Sequence, residues 1–211
     1  MQPKDADISR DAPRHAWPRR IVRRFCRSED GATAIEFAML ALPYFLIVFA
    51  IIETFIAFTA EQLVSNAVDE MARRLRTGQI TFNMNRTTDK NRIQFRAAFC
   101  DEIAILIRCS ETEKVTASKL YIDIRSFSSF ANIPKTIPRV STATFADLDT
   151  SGFQYNPGGP SSINMVRAYY RWQIMTDIVR PFITTIRSSG GGMPTDFLIV
   201  ATSAFQNEAY P

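Results

Sequence analysis

The chain has 211 residues, of which 46% are hydrophobic and 22% are charged, with a formal net charge of +4 and one histidine. This length allows one membrane-spanning segment and one modest folded domain. The charge is uneven, because residues 1–31 carry +3 and the remaining residues only +1. A nucleic-acid-binding protein needs a basic surface on its folded domain. The nearly neutral bulk of this chain therefore argues against nucleic acid as a partner.

Residues 1–31 are rich in proline, arginine and aspartate and show no apolar periodicity, which predicts a basic leader without a packed core. Positive residues beside a membrane span favour the cytoplasmic side. We therefore expect a cytoplasmic amino terminus and an exported, periplasmic remainder. Six arginines of the leader immediately precede the apolar part of the chain: Arg14, Arg19, Arg20, Arg23, Arg24 and Arg27.

Residues 32–76 predict one long helix. The run 34–60 is long enough to span a bilayer, which takes about 20 mainly apolar residues. A cleaved secretory signal is the alternative, but its apolar core has about 7–15 residues, and Ala60 follows the bulky Phe58 by two positions. Glu53 is expected at the outer membrane boundary as a hydrated carboxylate. Beyond it, apolar residues at three- and four-residue spacing predict packing on the exported domain, namely Phe58, Leu63, Val64, Ala67, Val68, Met71, Ala72 and Leu75.

The exported residues 77–211 predict an α+β domain in which a small antiparallel sheet and one or two short helices pack on the long helix. Thr77-Gly78 is a helix stop signal. A second helix is expected over residues 92–106, with an apolar stripe formed by Ile93, Ala97, Cys100, Ile103 and Ala104. A short helix is expected over 181–186. Strands are expected over 119–125, where apolar and polar residues alternate, and over 140–145, 163–172 and 196–205.

Two of the three cysteines, Cys100 and Cys109, fall in the exported part, where disulfides form. On one continuous helix they would lie about 13 Å apart, but a disulfide tolerates a Cα separation only up to about 7 Å. We therefore expect a disulfide and a helix that ends before Cys109.

Catalysis is not expected. The single histidine, His15, lies in the leader, so the exported domain has none for a catalytic triad or a histidine metal site. The run beginning at Ser189 is glycine-rich but lacks the lysine of a phosphate-binding loop. We predict no catalytic residue, no metal site and no cofactor. An exported hydrolase would have to use a serine or lysine that nothing in the sequence distinguishes.

The candidate functional residues lie at the start of the long helix. Glu36 precedes the uncharged run 37–52, although a charge at the centre of a membrane helix costs about 2.5–3.5 kcal/mol. Gly31, five residues before Glu36, and Phe37 directly after it form the pattern Gly-x-x-x-x-Glu-Phe behind a basic leader. This pattern resembles the prepilin signals of the tight-adherence (Tad, Flp) system. The stretch from Asp30 through Glu53, and the chain ending, resemble the TadE family of minor pseudopilins.

The resemblance implies a pilin-like fold and a chain that primes or joins a Tad/Flp-type pilus. A prepilin peptidase would cleave after Gly31 and leave Ala32 as the new amino terminus. Glu36, with Phe37 beside it, would pair with the terminal ammonium of a neighbouring subunit. Implied partners are other pilins and pseudopilins, the prepilin peptidase, the inner-membrane assembly platform and the lipid bilayer.

Two alternatives stay open from the residues alone. The chain could be an unprocessed single-pass membrane protein whose periplasmic domain binds or senses a ligand. Separately, Glu36 could serve no pairing role and only reach back to the cytoplasmic interface.

Overall fold

A computed structural model describes residues 29–187 and 192–210, with residues 29–32 described by their backbone alone. The chain divides into two compact units, Met1–Val48 and Phe49–Pro211. One long helix, α1, covers Glu29–Arg76 and is followed by a four-stranded sheet with short helices. The predicted α+β class is confirmed.

The long helix ends at a glycine that no other residue could replace without strain. Gly78 has a φ of +74°, in the left-handed region that glycine adopts without cost. The Ile80 N–H donates to the Arg74 carbonyl at 3.0 Å, which closes the helix end. A Cβ added at Gly78 would lie 2.7 Å from the ring of Tyr210. The helix therefore stops where the sequence predicts.

The last third of α1 supplies one side of the hydrophobic core. Its buried residues follow the predicted stripe with two exceptions. Leu63 is only partly buried, and Phe58 is 56% exposed, with Ala57 and Ala60 buried in that region instead. The buried residues face core residues of the second helix and of the sheet. The buried α1 residues of the core are Ala60, Val64, Ala67, Val68, Met71, Ala72 and Leu75.

The second helix, α2, covers Arg92–Glu102. Asn91 caps it, because its side chain accepts from the Gln94 N–H while the Gln94 side chain accepts from the Asn91 N–H, each at 2.9 Å. The predicted apolar stripe is partly wrong. Ile93 is 46% exposed and Ala104 is also exposed. The buried face instead carries Phe95, Arg96, Phe99 and Cys100, because the larger aromatic side chains bury more apolar area.

The sheet has the order β2-β1-β3-β4. Its strands are β1, Leu120–Phe127; β2, Tyr155–Asn156; β3, Ile163–Gln173; and β4, Asp196–Gln206. The neighbours β1 and β3, and β3 and β4, are antiparallel as predicted. The two-residue β2 pairs parallel with β1, so the sheet is mixed. Two short helices, α3 at Glu111–Val115 and α4 at Arg180–Ile183, complete the unit.

Different parts of the chain pack against the two faces of the sheet. Ile122, Ala168 and Ala201 are in register and belong to the core that includes α1. On the opposite face Tyr169 stacks on Phe153 at 4.9 Å between ring centroids. Residues 140–145 form no strand, which contradicts the prediction; Arg139 and Leu148 make only an isolated bridge. This part of the chain is a loop that flanks the second face.

Candidate assembly and membrane-contact site

The membrane-spanning candidate lies in α1. Residues 33–76 contain an 18-residue window of mean hydropathy 2.4, none of which is buried. Large apolar side chains such as Phe37, Leu40 and Phe55 are each about 70% exposed or more. Apolar area of this extent is unfavourable in water and requires lipid or other helices around it. The segment is therefore long and apolar enough to cross a membrane.

The four residues predicted for processing and pairing share the start of α1. Gly31 and Ala32 lie in its first turn, where only the backbone is described. Glu36 and Phe37 follow on the same helix, and both side chains are exposed. Glu36 lies four residues from Ala32, which is about 6 Å along a helix axis. The leader, residues 1–28, lies outside the described residues.

The second carboxylate of the apolar region, Glu53, has definite partners. Its Oε1 accepts the Met175 N–H at 2.6 Å, and its Oε2 accepts the Thr176 N–H at 3.0 Å. These bonds connect residues 122 and 123 positions apart. Hydrogen bonds to an ionised carboxylate are stronger than neutral ones. The prediction of a merely hydrated Glu53 is therefore wrong, because Glu53 holds the segment that follows β3.

The segment held by Glu53 is itself fixed at both ends. Ile174 is buried and donates its N–H to the Thr195 carbonyl at 3.0 Å. Thr184 is buried, and the next residue, Thr185, donates its N–H to the Asp196 carbonyl at 2.9 Å. We refer to residues 174–183 as the Glu53-bound segment. Sequence reasoning left its role undefined; the only local signal was a carboxylate at the end of an uncharged run.

Cys100 and Cys109 form a disulfide, with their Cα atoms 5.8 Å apart. The geometry is possible because α2 ends at Glu102 and the next residues turn back. The Ile107 N–H donates to the Ile103 carbonyl at 2.9 Å, and both of these side chains are buried. The bridge thus fixes the connection between α2 and α3.

A buried ion pair, missed by the sequence analysis, joins α2 to the start of the sheet. Arg96 Nη2 lies 3.2 Å from Glu113 Oε1, and Arg96 Nη1 donates to the Leu120 carbonyl at 2.8 Å. The Glu113 carboxylate also accepts the Leu120 N–H at 2.8 Å and bonds from Ser118. Burial tends to raise the pKa of Glu113, but the hydrogen bonds from Ser118, Leu120 and Lys119 outweigh it and lower the pKa. Burial lowers the pKa of Arg96.

Glu53, the disulfide and the Arg96–Glu113 pair each join separate parts of the fold. Within the described ranges, 29–187 and 192–210, no group of three or more His, Cys, Asp or Glu side chains is placed to hold a metal ion. Glu53 binds backbone N–H groups, and Arg96 and Glu113 bind backbone atoms, each other and the Ser118 hydroxyl. Within the unit Phe49–Pro211, these contacts hold α1 from Glu53 onward, α2 and the sheet together.

Comparison with known proteins finds a family similarity within α1. The family model described as TadE-like protein matches residues 31–73. No curated protein and no solved structure matches the chain. The predicted resemblance is confirmed over this segment, which runs from Gly31 along the apolar and buried parts of α1. Proteins of this family are structural and associated with the Tad pilus, and the match suggests a membrane protein of that kind.

Proposed function

We propose that this chain, whose residues 31–73 match TadE-like proteins, is a minor pseudopilin that primes or joins a Tad/Flp-type pilus. A prepilin peptidase would mature it by cleavage after Gly31. The chain would span the bacterial inner membrane once, with the leader, residues 1–31, in the cytoplasm, the helix over 32–76 and a periplasmic domain over 77–211. Its partners would be other pilins and pseudopilins and the assembly platform.

The observation that carries the proposal is the coincidence of two features on one helix. The family match begins at Gly31, and the apolar side chains that follow are exposed to their surroundings. An exposed apolar helix is stable in lipid, where hydrocarbon surrounds it, and equally in a bundle of neighbouring helices. A subunit that moves from a membrane into a fibre needs both environments, and this surface suits both.

Glu36 would fix the position of the subunit along the fibre. An ionised carboxylate among apolar side chains is costly unless a charge of opposite sign pairs with it. Cleavage after Gly31 would create a terminal ammonium at Ala32 on every neighbouring subunit. Because only one axial offset brings that ammonium to Glu36, the pair would select one register.

The first experiment determines the amino terminus of the protein recovered from membranes of piliated cells by mass spectrometry. We expect a mature chain that begins at Ala32, and Gly31→Ala should retain the full leader. Gly152→Ala is the matched control, because nothing lies within 4 Å of a Cβ added there. An intact leader on the native chain, in cells whose other prepilins are processed, would favour an unprocessed membrane protein.

The second experiment separates processing from assembly. Glu36→Ala should be cleaved normally, because the cleavage site is unchanged, but piliation should fall at least tenfold. Asp69→Ala serves as control, since Asp69 is an exposed carboxylate on the same helix. Piliation is counted by electron microscopy of sheared cells. Native pilus numbers with Glu36→Ala would contradict the pairing role while leaving the membrane location intact.

A further inference from the structure

The Glu53-bound segment, residues 174–183, exposes three large apolar side chains. Met175 and Phe182 are each 85% exposed, and Ile178 is 52% exposed. The same segment is otherwise well ordered by contacts, with Ile174 buried and Arg180 paired with Asp177 at 2.7 Å. Soluble surfaces rarely group large apolar side chains in this way without a contacting surface. The segment therefore presents an apolar face on a fixed backbone.

Glu53 determines where along α1 this face lies. The Met175 and Thr176 N–H groups both donate to its carboxylate, so the segment lies against the helix at that residue. A carboxylate in this apolar part of the helix has its charge stabilised by two backbone donors. The segment is thus held beside the helix by its backbone, and its apolar side chains are left free to make other contacts.

The exposed apolar surface of α1 continues along the helix beyond Glu53. Phe55 and Phe58 follow Glu53 on the helix and are 71% and 56% exposed. Phe58 lies about 7.5 Å farther along the axis than Glu53, at 1.5 Å per residue. Ile51 and Ile52, just before Glu53, are exposed as well. The part of the segment that binds Glu53 therefore lies at a level of α1 with exposed apolar residues on both sides.

We infer that the Glu53-bound segment inserts Met175, Ile178 and Phe182 into the outer interfacial layer of the bilayer that α1 spans. The inference rests on the membrane-spanning location in the proposed function. Its support is continuity, because the segment adjoins the exposed apolar surface of α1 itself. An exposed arginine, Arg187, follows the segment. Apolar and basic residues in combination bind the boundary between acyl chains and phosphate headgroups.

The test measures how deeply residue 182 lies in a bilayer. It uses vesicles of phosphatidylethanolamine and phosphatidylglycerol that contain the full chain and no other subunit. Phe182→Trp is introduced after Trp17 and Trp172 are replaced by phenylalanine. A lipid carrying a doxyl quencher near its headgroup should reduce the fluorescence of Phe182→Trp about twofold. Ile105→Trp is the matched control, because Ile105 is 88% exposed in the turn that follows α2. Its fluorescence should not change.

Phe45→Trp, within the membrane-spanning part of α1, distinguishes failure of this inference from failure of the proposed membrane location. Quenching of Phe45→Trp by a doxyl group deep in the acyl chains, with no quenching of Phe182→Trp, would overturn the inference and leave the membrane span standing. It would instead favour a neighbouring pilus subunit, which these vesicles lack, as the partner of the face. Absence of quenching at both positions would overturn the inference and the proposed location together.

A second readout covers the case in which Trp172→Phe fails to fold. The photo-crosslinking residue benzoylphenylalanine replaces Phe182, or Ile105 as control, in the otherwise native chain in the same vesicles. Irradiation should add the mass of one phospholipid at position 182 and not at position 105. An equal yield of lipid adduct at both positions, or none at 182, would overturn the inference.

Discussion

The two ends of α1 carry similar apolar residues, but one end exposes them and the other end buries them. Large apolar side chains at Met39 and Leu40 are more than 70% exposed, whereas those at Val64 and Met71 are fully buried. The buried end contacts α2 and the sheet within the unit Phe49–Pro211. Only the second end therefore contributes to the stability of the folded domain. The first end depends on lipid or on neighbouring helices.

The largest expected effect comes from a substitution inside the folded unit, the part of the molecule that the second end of α1 supports. Glu113→Gln leaves the buried Arg96 guanidinium without its counter-ion, which should lower the free energy of unfolding by about 3–5 kcal/mol. The measurement is urea denaturation of the full chain in detergent, followed by near-ultraviolet circular dichroism. The control is Glu111→Gln, because the Glu111 side chain is 88% exposed and its ion pair contributes little. Equal effects of the two substitutions would contradict the role given to the buried pair.

The same carboxylate predicts a pH dependence. Because folding lowers the pKa of Glu113, its contribution to stability is complete above the ordinary glutamate pKa of about 4.5 and is lost as the pH falls through the lower, folded-state value. We expect the native chain to lose stability steeply under acid. The loss should be smaller with Glu113→Gln, and denaturation midpoints across that pH range would measure the difference.

A matched pair of methionine truncations compares the two ends of α1 directly. Met71→Ala opens a cavity in the core and should cost about 2–5 kcal/mol. Met39→Ala, at a side chain that is 73% exposed, should leave the free energy of unfolding of the domain unchanged. Both are measured by urea denaturation in detergent. A comparable cost at Met39 would show that the first end also supports the folded domain.

Loss of the disulfide should have a somewhat smaller effect. The bond closes a short loop with a sequence separation of 9, and the loop-entropy relation gives about 2.5 kcal/mol for its removal. Cys100→Ser with Cys109→Ser should lower the denaturation midpoint accordingly. Dithiothreitol should lower the midpoint of the native chain to the same value and leave that of the double variant unchanged.

The smallest effect concerns the start of α2. Asn91→Ala removes the acceptor that caps the helix and should cost about 1 kcal/mol. Asn91→Ser retains a side-chain oxygen and should recover most of the loss. A cost for Asn91→Ser as large as that for Asn91→Ala would show that the cap hydrogen bond is not what stabilises this end.

Local patterns in the sequence predicted most of the fold. The spacing of Val64, Val68 and Met71 placed one face of α1 in the core, and the alternation in β1 identified its buried side, because both depend only on the period of the backbone. The same reasoning failed over residues 140–145, where the expected strand is a loop. It also failed for α2, where Phe95 and Phe99 displaced Ile93 from the core.

The apolar helix, its stop at Gly78, the α+β class and the spacing between Gly31 and Glu36 that relates the chain to TadE-like proteins are all readable from the amino-acid sequence. These properties follow from the composition and periodicity of neighbouring residues. The contacts of Glu53 with Met175 and of Arg96 with Glu113 emerge only in the folded chain. Those contacts join residues 122 and 17 positions apart, and no local period encodes which distant backbone donors will satisfy a given carboxylate.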